Sequence, residues 1–318
     1  MRPPHALVIG AGVSGLTTAV CLAEAGLTVQ IRTMQRPLAT TSCAAAAIWG
    51  PYLADDARIQ GWSETTLSVL TRLTADRTTG VRLAHGLEAS RRATPPPRWM
   101  TALPSFRPAE PDELPPGYVS GWWYTAPVVE MPAYLSYLTT RLRRAGGTIT
   151  LGRISSLRAA VALAPVVVNC AGAGARRLVP DPALTPVRGE LVVVENPGLR
   201  TFFMEHEDSP APTYYLPHGD HVALGGSAEP GRTDLAPDQQ IAAGILARCA
   251  AVEPSLAGAR VVAQRVGIRP SRPRVRLEAT AVDGRLVVHN YGHGGAGVTV
   301  SWGCAHQVRE LVSERVRA

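Results

Sequence analysis

Residues 6–33 read ALVIGAGVSGLTTAVCLAEAGLTVQIRT, and the fold class turns on them. ALVI at 6–9 is a short apolar run of the kind that forms a strand buried on both faces. Gly10, Gly12 and Gly15 follow, and then Leu16, Val20 and Ala23 recur at helical spacing until Gly26 stops the helix. LTVQIRT at 27–33 alternates apolar and polar residues as a second strand. Strand, glycine turn, helix and strand within about 30 residues make a βαβ unit. In that context Gly10 serves the tight turn, Gly12 lets backbone approach a pyrophosphate, and Gly15 lets helix pack on strand, with Ala11, Val13 and Ser14 completing the loop. The pyrophosphate would sit at the positive end of the helix. The pattern therefore predicts a dinucleotide site. The acidic residue that ordinarily binds ribose at the end of the second strand is missing. Thr33 there offers a hydroxyl to the ribose, whereas Arg32 favours an extra phosphate, as in an NADP site.

Further along, residues 94–117 are so rich in proline that helix interiors and central strands are excluded, which predicts an irregular surface excursion. PAYLSYLTTRLRR at 132–144 reads as an amphipathic helix, with Pro132 near its start and Gly146 past its end. Strands are expected at 148–151 and at 166–169 (VVVN), strands of a second sheet at 191–195 and 222–226, and a helix at 238–252. A short strand at 285–289 leads into a glycine cluster and a final helix. The dinucleotide-type pieces lie at the start, around 148–175 and at the end, so two domains are interleaved. Residues 1–55, 143–190 and 266–318 are assigned to one, and 56–142 and 191–265 to the other.

Composition sets the class. With 318 residues, 46% hydrophobic and 18% charged, the chain suits a two-domain enzyme with a sizeable core rather than a disordered segment. The formal net charge is +7, yet all 32 basic residues are arginines and they are scattered, so no nucleic-acid partner is expected. A basic balance does favour carboxylate substrates. Five cysteines far apart, with no CxxC pair, argue against a disulfide framework or a zinc site and for a reducing compartment. No apolar run approaches the ~20 residues needed to span a bilayer. Arg2 ahead of an apolar stretch imitates a signal peptide, but the glycines fall at turn spacing and Glu24 stands where a cleavage site should be small and neutral. The expectation is a cytoplasmic protein without a membrane partner.

A second cluster, Gly292, His293, Gly294, Gly295, Ala296 and Gly297, precedes a helix expected to begin near Thr299. Such density suggests backbone lying against a flat ligand with no room for side chains. The helix N-terminus beyond it would aim positive potential at that ligand. His293 is read as structural.

These stretches together resemble the D-amino-acid oxidases, flavoenzymes of the glutathione-reductase-like superfamily. The likeness runs through VIGAGVSGL at 8–16, TTSCAAAAIWGPYL at 40–53, GWWYTAPVVEMPAYLSYLTTRL at 121–142, VVNCAGAGA at 167–175 and DPALTPVRGE at 181–190. GIRPSRPRVRLE at 267–278 and HNYGHGGAGVTVSWGCA at 289–305 are its most specific parts. The resemblance implies an α/β fold: a Rossmann-like FAD-binding domain interleaved with a substrate-binding α+β domain carrying a mixed or antiparallel sheet. It implies FAD as cofactor and direct transfer of the Cα hydrogen, as hydride, from a D-amino acid to the flavin. The products are a 2-oxo acid, ammonia and, with oxygen as acceptor, hydrogen peroxide. No side chain serves as obligatory acid or base.

Residue by residue, Arg269 matches the family's substrate-carboxylate arginine, although pattern alone does not separate it from Arg272, Arg274 and Arg276. Tyr214 matches the tyrosine that also holds the carboxylate, with Tyr215 one residue away, and Gly295 the glycine whose carbonyl receives the substrate amine. Thr40, Thr41 and Ser42 match pyrophosphate-binding hydroxyls. Ala46, Ala47 and Ile48, and Gly294, Gly295, Ala296, Gly297, Val298 and Thr299, match segments lining the flavin ring, and Ile154 a backbone contact to adenine. Two departures stand out. The segment HEDSPAPTY before and including Tyr214 is shorter than the lid of mammalian relatives, with Pro210 near their second tyrosine, and Gly50 replaces a glutamine at the pocket wall. A more open pocket with faster product release is expected. The terminal RVRA lacks a peroxisomal address, in line with a cytoplasmic enzyme. Neutral D-amino acids lead as substrates. A D-aspartate or D-glutamate oxidase, a glycine or sarcosine oxidase, an NADP-dependent dehydrogenase and a non-catalytic dinucleotide-binding protein are the alternatives, and a homodimer stays open.

Overall fold

The computed structural model describes residues 4–51, 57–206, 209 and 211–317. Arg2, Tyr52, Leu53 and Pro210, which entered the expectations above, lie outside the described residues. The strands are β1 (Ala6–Ile9), β2 (Val29–Thr33), β3 (Ala47–Ile48), β4 (Val81–Ser90), β5 (Arg107–Pro108), β6 (Ser120–Val129), β7 (Thr148–Leu151) and β8 (Val166–Asn169). They continue with β9 (Thr185–Glu195), β10 (Phe202–Glu205), β11 (Tyr214–His218), β12 (His221–Gly225), β13 (Glu229–Pro230), β14 (Val261–Val282) and β15 (Arg285–His293). The helices are α1 (Val13–Glu24), α2 (Thr41–Ala44), α3 (Ile59–Leu73), α4 (Arg98–Thr101), α5 (Met131–Arg144), α6 (Leu157–Val161), α7 (Gln239–Val252) and α8 (Ser301–Arg317).

All strands join one mixed sheet. At one end β7, β2, β1, β8 and β15 lie side by side and parallel. Beyond β15 the sheet turns antiparallel through β14, β9, β12, β11 and β10. β10 pairs in parallel with β4, which runs antiparallel to β6. The mixed α/β class expected from the sequence is the one observed.

Strand β1 shows why the parallel end is layered. Its Ala6 and Val8 face a core shared with Leu16, Val20, Leu70, Leu135 and Trp302 from α1, α3, α5 and α8. Its Leu7 and Ile9 face Ala160 and Val161 of α6 and the loop residue Ala164 on the other side. A strand covered on both faces must be apolar throughout, as ALVI is. The antiparallel end is sorted by the same two-residue period: Tyr215 packs under α7 with Leu224 and Ile245, while Tyr214 turns to the opposite face.

Several elements depart from the sequence reading. The excursion at 94–117 carries α4, β5 and a 3-10 turn at Pro111–Glu113. The strand expected at 285–289 continues to His293, because β14 supplies a partner as far as the pair Ser271 and His293, and the last helix begins at Ser301 rather than Thr299. β14 itself holds Pro270 and Pro273, which argue against a strand in sequence. Pro270 lies opposite Pro186, and the register shifts between Ser271 and Arg276, where Pro273 falls. β9 and β14 each run through a residue pair (190/191 and 265/266) at which the sequence suggested a boundary.

Helices α3 and α8 touch where Gly303 lies against the Trp62 backbone, and the Gly303 N–H donates to Thr66 Oγ1 at 3.1 Å. A Cβ there would collide with main chain, which cannot yield as a side-chain tip can. Gly303→Ala is expected to destabilise the protein by roughly 1–3 kcal/mol, seen as a lower urea midpoint at unchanged slope. An unmoved midpoint would show that the two helices separate freely.

Candidate active site

The first turn is shaped by backbone crowding. Gly10 has φ 106°, and a Cβ on it would lie 2.5 Å from the Cys170 carbonyl oxygen, while one on Gly15 would collide with the Gly10 carbonyl. β1, the start of α1 and the end of β8 thus meet closer than any side chain allows. Gly12 is the N-cap of α1 without a side-chain cap, and its missing Cβ would sit 3.0 Å from Ser42 Oγ. That hydroxyl accepts the Val13 N–H at 3.0 Å. The N–H groups of Ser14 and Gly15 have no acceptor among the described residues, so the positive end of the helix is left unmatched by them.

At the end of β2 the Arg32 carbonyl accepts the Gly10 N–H at 2.9 Å. Its guanidinium lies over Gly152, with Nε buried and without a partner among the described residues. The Thr33 hydroxyl donates to the Gln35 carbonyl at 2.9 Å and so closes its own turn. Ile154 packs beside Ile9 and Leu157 at the edge of the α6 core. Of the three hydroxyls at 40–42, only that of Ser42 reaches α1. Thr40 Oγ1 donates to the Pro37 carbonyl at 2.7 Å, and Thr41 Oγ1 accepts the Ile268 N–H of β14 at 3.3 Å.

The second glycine cluster starts inside β15 and continues as a 3-10 turn, Gly294–Ala296. Thr299 Oγ1 donates to the Gly50 carbonyl at 3.0 Å, which ties residues 294–299 to the segment at 46–50. Gly295 is exposed, while Ala296, Val298 and Thr299 are buried beneath it. Below the turn runs a buried polar chain. Asn290 Nδ2 donates to Thr18 Oγ1 at 3.1 Å, so Asn290 Oδ1, 3.0 Å from His293 Nε2, acts as an acceptor. His293 is therefore the Nε2–H tautomer, and its Nδ1 faces Ser14 Oγ at 3.4 Å. With both nitrogens engaged, His293 braces the turn.

Tyr214 and Arg269 meet on the antiparallel side. The Tyr214 ring lies across Gly225 and its hydroxyl sits beside Gly226. The Arg269 guanidinium lies across Gly189, and Nη1 donates to the Ser227 carbonyl at 2.8 Å. The other arginines of the strand are engaged elsewhere: Arg272 pairs with Asp181 at 3.0 Å, Arg276 with Glu278 at 2.7 Å, and Arg274 is exposed. Arg269 has no carboxylate partner among the described residues. Burial raises the Tyr214 phenol above its ordinary pKa against the opposing pull of the Arg269 charge, so it stays a proton donor at neutral pH. Gly294 stands against Ser271, two residues along the strand from Arg269.

Two acidic groups escaped the sequence reading, Glu88 on this face and Glu205 on the opposite one. The cross-strand row Trp122, Glu88, Met204, Tyr214 places Glu88 on the face of Tyr214. Buried Glu88 accepts the Tyr124 hydroxyl at 2.7 Å and lies 2.5 Å from His206 Nδ1. Glu205 pairs with Arg91 at 2.9 Å. Nothing in local sequence marks either residue, because their partners are distant in the chain.

A family profile described as FAD dependent oxidoreductase matches residues 5–311. A D-amino-acid oxidase of Rubrobacter xylanophilus is 48% identical over 310 residues, 96% of this chain and 95% of that protein. One of Streptomyces coelicolor is 46% identical over 317 residues, 98% of each. A human D-aspartate oxidase is 38% identical over 328 residues, 98% of this chain and 95% of that protein. Among solved structures, a glycine oxidase from Geobacillus kaustophilus superposes with TM-score 0.84 at 19% identity, covering 99% of this chain and 95% of that one, a likeness of fold.

Burial pushes the imidazoles of His289 and His293 down to about 4, from an ordinary 6.5. The unfolded chain therefore binds more protons between those values, and stability falls as pH drops from about 6.5 towards 4. Urea midpoints at pH 7, 6 and 5 are expected to decline, and His293→Gln to flatten the decline. Equal slopes in both proteins would place the pH dependence elsewhere.

Proposed function

Because the chain belongs to the family of FAD dependent oxidoreductases, we propose that it oxidises D-amino acids at Cα, with neutral side chains preferred. FAD is its cofactor. The residues present fit it: the unmatched N–H groups of Ser14 and Gly15 suit the pyrophosphate, with the Ser42 hydroxyl brought beside them because Gly12 has no side chain. The orphaned Arg32 Nε and the loop at Ile154 suit the adenosine end, in place of the missing acid. Residues 46–48 and 294–299, joined through Gly50 and Thr299, suit the ring. The family match sets aside the NADP-dependent reading that Arg32 suggested.

One observation carries the substrate reading: Arg269, without a carboxylate partner among the described residues, shares a site with the protonated phenol of Tyr214. A guanidinium fork and a hydroxyl take a planar carboxylate together. The exposed Gly295 carbonyl then accepts the substrate amine, which fixes the third point needed to tell D from L. When bound, FAD supplies the acceptor for the hydride that leaves Cα. Orientation by Arg269, Tyr214 and Gly295 is the protein's contribution, and no acid or base is assigned. Amino acid, oxygen and water give 2-oxo acid, ammonia and hydrogen peroxide.

The Glu88 carboxylate stands on the face of Tyr214, where it disfavours an acidic side chain. This favours neutral substrates over the D-aspartate found for the human relative. No helix among the described residues is long and apolar enough to cross a membrane. We place the enzyme in the cytoplasm, with a homodimer as its assembly to be tested by light scattering.

Purified protein is expected to be yellow and to bleach anaerobically with D-alanine but not L-alanine. Retained colour with D-alanine would sink the reading. Arg269→Ala is expected to raise KM for D-alanine by roughly 10- to 100-fold, the worth of a charge-assisted pair. Peroxide release should give kcat/KM for D-alanine at least tenfold above that for D-aspartate, and the reverse order would make the human-type specificity the better description.

A further inference from the structure

The Tyr214 and Arg269 side chains share a backbone support, residues 225–227, and that support is held from behind by α7. Tyr214 covers Gly225 and reaches Gly226, and Arg269 donates to the Ser227 carbonyl. On the far side, Arg248 Nη2 donates to the Gly226 carbonyl at 2.9 Å. The next residue, Cys249, has its thiol pushed up to about 12 by burial, so it remains an S–H donor, 3.4 Å from the Tyr214 carbonyl. The support is closed on its other edge by β9: the Ser227 N–H donates to the Glu190 carbonyl at 3.2 Å, and Ser227 Oγ accepts the Glu190 N–H at 3.0 Å.

Arg248 is an unusual residue to place there. Its Nε is buried and has no partner among the described residues, and no carboxylate there pairs with it. A half-buried cation held by a carbonyl rather than an acid contributes little net stability. What it does fix is the direction of the Gly226 carbonyl, in a stretch where two successive glycines offer no side chain to lock the backbone.

We propose that Arg248 is a positioning residue for the substrate carboxylate, setting the spacing of the Tyr214 hydroxyl and the Arg269 fork through the Gly226 carbonyl. The proposal rests on the reading of Tyr214 and Arg269 as the carboxylate site. Because the carboxylate is held alike in ground state and transition state, loosening its holder acts on KM.

The test uses the holoenzyme and four variants. Arg248→Met, which keeps the bulk and removes the donor, is expected to raise KM for D-alanine about tenfold with kcat within twofold. The Kd for benzoate, a planar carboxylate probe followed by the flavin spectrum, should rise in parallel, with bound FAD unchanged. Arg248→Lys, which retains one donor, should recover most of the affinity. Leu246→Ala, two residues away in the α7 packing, should lower the urea midpoint without separating KM from kcat. If Arg248→Met only lowers stability, as Leu246→Ala does, or if Arg248→Lys is no better than Arg248→Met, the positioning role is wrong. Arg269→Ala separates the two levels. If it raises KM and Arg248→Met does not, the support idea alone falls; if it leaves KM unchanged, the carboxylate site falls and takes the support with it.

Discussion

Strand β14 is the constraint on which the rest of the molecule depends. Its first half pairs with β9 of the antiparallel region and its second half with β15 of the parallel region. One continuous stretch of backbone therefore sets the distance between the two regions. Arg269 lies on the first half and Ser271 at the junction, with Gly294 against it. The register shift between Ser271 and Arg276 falls where the strand passes from pairing with β9 to pairing with β15 within the one mixed sheet. A slip of one residue against β9 would turn Arg269 away from Tyr214.

Electrostatics follow from which arginines are matched. Arg188 is fully buried, yet it is bound to Glu190 at 2.7 Å, to Glu229 at 2.6 Å and to the Ala236 carbonyl at 2.6 Å. Such a network fixes β9 against β13 and the segment leading to α7 more than it adds net stability. Arg272 and Arg276 converge on Asp181, whose carboxyl they hold below its ordinary pKa with the Tyr291 hydroxyl, against the opposing effect of burial. In a chain with a net charge of +7, the instructive cation is Arg269, which the fold leaves unmatched and half covered.

The fold was legible in residues 6–33 because each signal there is local: an apolar run, glycines at turn spacing, a helical period. The proposed dinucleotide end of the site rests on the same stretch. What sequence could not supply was choice among equals. Four arginines stand within residues 269–276, and what sets Arg269 apart is that Asp181 claims Arg272 and Arg276 while Arg274 is exposed. Tyr214 and Tyr215 are separated by pleat alone, and the pleat needs β10 and β12 to be assigned faces. Glu88, Ser227 and Arg248 act through groups 22 to 118 positions away, and most of those contacts are to backbone carbonyls, which carry no sequence signature. β14 itself was obscured by its prolines.

The open end of α1 ties the life of the folded chain to its cofactor supply. Among the described residues the N–H groups of Ser14 and Gly15 find no acceptor, and neither does the buried Arg32 Nε. On the proposed binding mode these groups find their partners in FAD, and whatever binds only the folded form raises its stability by mass action. Riboflavin scarcity would then act on this protein twice, once by leaving molecules inactive and again by exposing them sooner to proteolysis.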